Sequence, residues 1–288
     1  MLIDYSSRPP VPAFDQSATS HLGGYRRVYA QSEAAVTRGA GSSDLDAYLA
    51  EYDSAGVAHV VVKARDLETT FGFRIANEDV AAFCAAQGPR FIGFAGVDPH
   101  KGMTAVRELE HAVRGLGLRG LNLQGFEHRL AIDDARMYPL YAKCIELDVP
   151  LNLHCGINFS DASLMEYGRP AALDRVMTHF PELRVCAGPP GFPWTEELIA
   201  VAWRHPNIHI SIGAVRPKYL ATEGSGYGAL LRYGQTVLRD RIIFGSAFPM
   251  LPIRRTIDEI RALDLTAEVE AAWLGGNARR FLRLSEAT

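Results

Sequence analysis

Three strand-like runs end in side chains able to move a proton or stabilise charge. Lys63 closes VAHVVVK (57–63), Gln124 closes LRGLNLQ (118–124) and His154 closes VPLNLH (149–154). An imidazole titrates near neutrality, about 6.5 unperturbed, and suits proton transfer; an ammonium can stabilise negative charge developing on oxygen. The runs alternate: Leu121 and Leu123 oppose Asn122 and Gln124, Leu151 and Leu153 oppose Asn152 and His154, and HISI adds His209 and Ser211. Successive strand side chains point to opposite faces, so the polar members share one face. Buried and unpaired, each would cost about 1–3 kcal/mol, so they must bond one another, water or a ligand. His59, Asn152 and His209 lie earlier in their strands and fit an internal hydrogen-bonded network. Asp98 and His100 in VDPH offer a second acid–base set, although Asp-Pro is also an ordinary turn signal. Cys155 follows His154 directly and should point away from it. Ser246 in IIFGSAFP (242–249) lacks the Gly-x-Ser-x-Gly elbow of an activated nucleophile and reads as a hydrogen-bond donor to substrate.

Positioning these residues requires a repeating scaffold. Eight strand-like runs occur, at 1–5, 57–63, 91–97, 118–124, 149–154, 183–188, 207–212 and 241–246, separated by amphipathic helical stretches. In 103–116, Met103, Val106, Leu109, Val113 and Leu116 form one stripe; 136–147 repeats the pattern. Eight β/α units in one domain over 1–288 predict an α/β fold of the (β/α)8 barrel type, with chemistry at the strands' C-terminal ends. A doubly wound open sheet is the rival, but no glycine-rich phosphate loop follows the first strand. Residues 6–43 break the rhythm as a long insertion after that strand, the kind of segment that forms lids or subunit contacts. Tyr5, Phe126, Phe159, Trp194 and Phe248 fall near strand ends and would wall a pocket for a flat or ring-shaped substrate.

Thirty basic and thirty-three acidic residues nearly cancel without a basic cluster, which argues against nucleic-acid and anionic-membrane partners. No apolar run approaches a bilayer's thickness and no leader pattern opens the chain, so a cytoplasmic protein is expected. Cys84, Cys144, Cys155 and Cys186 are far apart in apolar segments and read as buried free thiols.

VDPHKG, RGLNLQGF, the stretch IDDARMYPLYAKCIELDVPLNLHCG, HFPELRV with GPPGFPW, HPNIHISI, RIIFGSAFP and GGNARRF occur in this order. Together they resemble the amidohydrolase superfamily, specifically the amidohydrolase-related branch of decarboxylases, lactonases and hydratases. The resemblance implies a homodimer and a divalent metal held by a His-x-His pair after strand one, histidines after strands five and six, and an aspartate after strand eight. Here those positions carry Ser6, Arg8, His154, Pro189 and Ala247. A catalytic zinc needs about three protein ligands, so no metal and no other cofactor is expected. Arg8 sets a permanent charge where the cation would lie. The main expectation is metal-independent hydrolysis of a lactone or other activated acyl bond in a small cyclic or unsaturated carboxylate. His154 would be its acid/base, Arg8 and Lys63 its electrostatic stabilisers and Asp98 an auxiliary. Tyr5, Ser6, Asn122, Gln124, Trp194, Ser246 and Phe248 would contact substrate. Non-oxidative decarboxylation of a similar substrate and a catalytically silent binding or partner subunit are the alternatives. A metal recruited elsewhere, through His21, His128 or the histidines at 100 and 111, lacks a close-spaced ligand set.

Overall fold

A computed structural model describes residues 1–16, 19–30 and 45–285. Its main sheet takes eight strands in chain order: β1 (Leu2–Ser7), β2 (Val57–Lys63), β3 (Phe91–Gly96), β4 (Leu121–Leu123), β5 (Leu151–His154), β6 (Val185–Gly188), β7 (Ile208–Ser211) and β8 (Ile242–Ile243). Adjacent strands are parallel throughout. Tyr5 and Arg8 N–H then donate across the remaining gap to the Phe244 and Phe248 carbonyls, at 3.1 and 3.0 Å. The sheet is thus rolled into the expected (β/α)8 barrel. No helix among the described residues is long and apolar enough to cross a membrane.

Alternation divides each strand between two cores. Val60, Val62, Leu121, Leu123, Leu151, Leu153, Val185 and Ile210 face the helices. Helix Met103–Arg114 meets them with Ala105, Val106, Leu109 and Ala112, whereas Met103, expected on that stripe, is exposed at the first turn. The polar members of the alternating strands were expected to share one face, and most of the side chains on that inward face are apolar. Ile3, Tyr5, Val61, Ile92, Phe94, Cys186 and Ile243 fill the lower barrel against Ala278 and Phe281 from the C-terminal segment. Polar side chains gather in the layer nearest the strands' C-terminal ends. His209 rests on Phe281 with ring centroids 4.7 Å apart, so it is packing rather than a member of a hydrogen-bonded network.

β8 is only two residues long because later backbone donors go elsewhere. Phe244 N–H reaches the Trp273 carbonyl at 3.1 Å, and Ser246 N–H reaches the Asp4 carboxylate at 2.8 Å. Asp4 is fully buried and accepts four hydrogen bonds: Ser6 N–H at 3.1 Å and Ser246 N–H at 2.8 Å on Oδ1, Tyr52 Oη at 2.8 Å and Ser246 Oγ at 2.5 Å on Oδ2. Burial raises its pKa, with the four donors opposing. Tyr52 also meets Ser7 Oγ, which meets Tyr48 Oη, so helix Leu45–Ser54 is tied to the same seam.

The insertion begins after Ser7, one strand turn later than the sequence suggests, and its residues 17–18 and 31–43 lie outside the described residues. The described part has regular structure: turns Pro12–Phe14 and Ser20–Leu22, then helix Gly23–Val28. A hairpin of Arg65–Leu67 with Phe73–Ile75, absent from the sequence reading, extends β2 beyond the barrel.

Removing the seam carboxylate leaves four donors without their acceptor. Asp4→Ala is expected to lower unfolding free energy by about 3–5 kcal/mol in urea denaturation. The isosteric Asp4→Asn should lose less, because the hydroxyls of Tyr52 and Ser246 can rotate to accept.

Candidate active site

Around the mouth of the barrel, residues in or just beyond β1, β2, β4, β5, β6 and β8 are partly buried, not sealed: Ser6, Arg8, Lys63, Arg65, Gln124, Asn152, Gly188, Pro189 and Ala247. They line a recess above the apolar floor. Lys63 stands at its base, with Nζ 4.5 Å from the Tyr5 ring centroid. It donates to Asn152 Oδ1 at 3.1 Å; Asn152 Nδ2 donates to Asn122 Oδ1 at 2.8 Å; Asn122 Nδ2 donates to the Ala64 carbonyl at 3.0 Å. This relay holds the ammonium in one place. Desolvation is the largest influence on Lys63 and brings its pKa down to about 8, against the raising effects of Cys186 and Asp4.

A second set of groups lies at the rim. Arg8 and Arg65 both donate to Gln16 Oε1, Arg65 at 3.3 Å, so two guanidiniums converge on one neutral oxygen. Arg65 also donates to Glu127 Oε1 at 3.0 Å, and His21 Nε2 lies 3.1 Å from the same atom. Glu127 is fully buried. Burial alone would raise its pKa, but the Arg65 charge and the His21 contact outweigh this and hold it below the usual carboxylate range. His154 is buried with the Phe126 ring edge against it at 4.5 Å. Desolvation pushes its pKa down to about 4, against the pull of Glu127. The imidazole expected as an acid/base at neutral pH is therefore neutral there.

The insertion covers this recess. Tyr25 stacks on Phe126 at 5.8 Å and meets Phe159 edge-on at 5.4 Å; His21 stacks on Phe71 at 4.0 Å; Tyr29 Oη donates to the Ala214 carbonyl at 2.7 Å. Contacts thus reach the loops after β2, β4, β5 and β7. Docking requires a glycine at position 24, since a Cβ there would lie 1.7 Å from the Phe159 carbonyl oxygen.

Several expected site residues have other work. Asp98 is fully buried and accepts from Thr69 N–H at 3.0 Å and His100 N–H at 2.9 Å, the turn role and not the acid–base one. Burial pushes its pKa up, yet the bonds from Thr69 and His100 prevail and lower it. Ser246 is consumed by Asp4 and by Phe248 N–H at 2.9 Å, which removes it as a substrate donor. Asn122 has both amide ends engaged and positions Asn152 in place of substrate. Tyr5 lies within β1, on the barrel floor beneath Lys63, not in the loop beyond it. Phe248 packs on Tyr48 and Tyr52 at the seam, and Trp194 sits under Arg169 with the guanidinium 6.0 Å from its ring. Ser6 gives its N–H to Asp4 and its partly buried side chain borders the recess, as does Gln124 at the start of helix Gly125–His128. Arg65, Glu127, His21, Gln16 and Tyr25 were missed. Arg65 alone had a signal, since the alternation His59, Val61, Lys63 continues to it.

The recess does not fit a divalent cation. The positions that would supply ligands hold the Ser6 hydroxyl, the Arg8 guanidinium, Pro189 and Ala247, leaving His154 as the one imidazole. No group of three or more His, Cys, Asp or Glu able to hold a metal occurs among the described residues, and His21 is committed to Glu127. Ala247 adopts a left-handed backbone, φ 53°, at a cost of about 1–2 kcal/mol for alanine; aspartate or asparagine tolerates that conformation better.

Comparison with known proteins places this geometry in context. Residues 25–284 match the family model Amidohydro_2, described as amidohydrolase. Gamma-resorcylate decarboxylase of Polaromonas sp. (strain JS666) is 28% identical over 257 residues, covering 74% of this chain and 76% of that protein. An uncharacterised TIM-barrel protein from Bordetella bronchiseptica superposes with TM-score 0.81 at 27% identity, over 98% of each chain. The 5-carboxyvanillate decarboxylase of Sphingomonas paucimobilis shares the fold, with TM-score 0.71 at 21% identity over 99% of each. The activities named among these proteins cleave a carbon–carbon bond. That overturns the expectation of acyl hydrolysis and favours the decarboxylation alternative. With the family model spanning nearly the whole barrel, the chain belongs to the amidohydrolase family.

Proposed function

We propose that the chain is a metal-independent carboxy-lyase that removes the carboxyl group of a small hydroxylated aromatic carboxylate as carbon dioxide. The observation that carries this reading is the convergence of Arg8 and Arg65 on Gln16 Oε1, above Lys63. The gathering of Arg8, Arg65 and Lys63 at one recess supports an anionic ligand. Guanidiniums take a carboxylate in a planar, bidentate fashion. The decarboxylases of γ-resorcylate and 5-carboxyvanillate among the relatives support the aromatic, hydroxylated class.

The chemistry follows from the protonation states. Neutral His154 accepts the proton of a ring hydroxyl, which raises electron density at the carbon bearing the carboxylate. The Lys63 ammonium gives a proton to that carbon. The bond from the ring to the carboxylate carbon then breaks, its electron pair returns to the ring and carbon dioxide leaves. His154 returns its proton to the phenolate oxygen and Lys63 is reprotonated from water, so one proton is consumed per turnover. The Tyr25 ring stacked on Phe126, which lies edge-on to His154, lowers the local dielectric and so strengthens the electrostatic contacts there.

Incubation with γ-resorcylate and other hydroxybenzoates should release carbon dioxide, and prior chelation should leave the rate unchanged. A rate that disappears with chelator and returns with a divalent metal would refute metal independence. Lys63 must be protonated to donate and His154 unprotonated to accept. The rate should therefore fall as pH rises through about 8 and as it drops through about 4, with a plateau between. Lys63→Met should lower kcat by about 100-fold or more. The folded pKa of Lys63 lies below its unfolded value, so burying the ammonium costs stability below about pH 8; this variant should hold or raise the thermal midpoint. Arg65→Met should raise KM for the carboxylate by about 10-fold or more.

A further inference from the structure

Beside the groups already assigned, Glu127 Oε2 and Tyr25 Oη are buried in the capped recess with no side-chain hydrogen-bond partner among the described residues, Tyr25 Oη lying against the Phe159 backbone. They are neighbours. The Glu127 charge acts on both Tyr25 and His154, Tyr25 stacks on Phe126, and the Phe126 edge lies against His154. Glu127 is polarised in its use: Oε1 takes both Arg65 and His21, while Oε2 takes nothing. A fully buried carboxylate normally has both oxygens engaged.

We infer that Glu127 Oε2 and Tyr25 Oη form a subsite for a ring hydroxyl of the substrate, distinct from the hydroxyl whose proton passes to His154. The inference rests on the aromatic-carboxylate reading above and deepens it. The chemistry selects the group. Glu127 Oε2 requires a donor and repels a second carboxylate. Tyr25 Oη requires a lone pair, which an aryl amine offers poorly and a hydroxyl supplies. Tyr25 and His21 both belong to the inserted cap, so one carboxylate joins two tasks: Oε1 latches the cap through His21, and Oε2 reads the ligand beneath it. Specificity for the hydroxylation pattern would then come from the insertion and helix Gly125–His128, not from the barrel strands.

The test compares affinities for benzoate, salicylate and the four dihydroxybenzoates that carry a hydroxyl beside the carboxylate, by calorimetry or as KM for a compound that is turned over. In the unaltered protein at least one dihydroxybenzoate should bind about 10- to 100-fold more tightly than salicylate, the discrimination expected when a buried polar pair is satisfied or left unmatched. Glu127→Gln, which replaces the acceptor by a donor, and Tyr25→Phe, which keeps the ring stack, should each reduce that ratio to about threefold or less, whatever change each makes in the affinity for salicylate itself. Equal affinity for salicylate and every dihydroxybenzoate would overturn the subsite and leave the carboxylate reading standing. A preference that survives in both variants would do the same. Failure of all six compounds to bind would overturn both readings.

Discussion

The closure of the barrel at Asp4 is the contact on which the functional layer depends. A parallel sheet of eight strands has two edges until the first and last meet, and here the last strand offers only two ladder residues. The buried carboxylate supplies what the ladder lacks, taking two backbone N–H groups and two hydroxyls from three separate segments. Without that closure, Ser6 and Arg8 on one side and Ala247 on the other would have no fixed relation to His154 and Lys63 across the barrel. The price is a desolvated carboxylate with a raised pKa, tolerable because its four acceptor positions are filled.

Above this seam, the interior is graded. The lower barrel is packed with aliphatic and aromatic side chains, and the polar layer begins where Lys63 rises past Tyr5. A low-dielectric floor beneath a cation lowers its pKa and makes it a better proton donor than an exposed lysine. The Asn152 and Asn122 relay fixes where the ammonium sits. In the same way, enclosure under Phe126 and Tyr25 keeps His154 neutral. Burial lowers both pKa values and leaves that of Lys63, about 8, well above that of His154, about 4, so an ammonium and a neutral imidazole coexist at one pH.

The cap places a large part of the site in the segment with the least regular sequence. Residues 19–30 carry His21 to a carboxylate more than a hundred positions later, with |i−j| of 106. No periodicity anticipates such a contact. It depends on Gly24 allowing close approach to Phe159 and on the short helix Gly125–His128 turning Glu127 inward.

Sequence alone determined the strand order, the barrel and the direction of alternate side chains, because these follow from local periodicities of two and 3.6 residues that each segment carries by itself. It thereby put Lys63 and His154 last in their strands, where β2 and β5 end. It misread Asp98, Ser246 and Asn122, whose types suit chemistry but whose hydrogen-bonding capacity is spent on a turn, a seam and a relay. It did not reveal Arg65, Glu127, His21 or Tyr25 as a unit. Burial, and with it the protonation state of every group in the recess, is set by atoms brought together from distant parts of the chain. Only the tertiary structure decided which polar residues had lone pairs and protons left for a ligand.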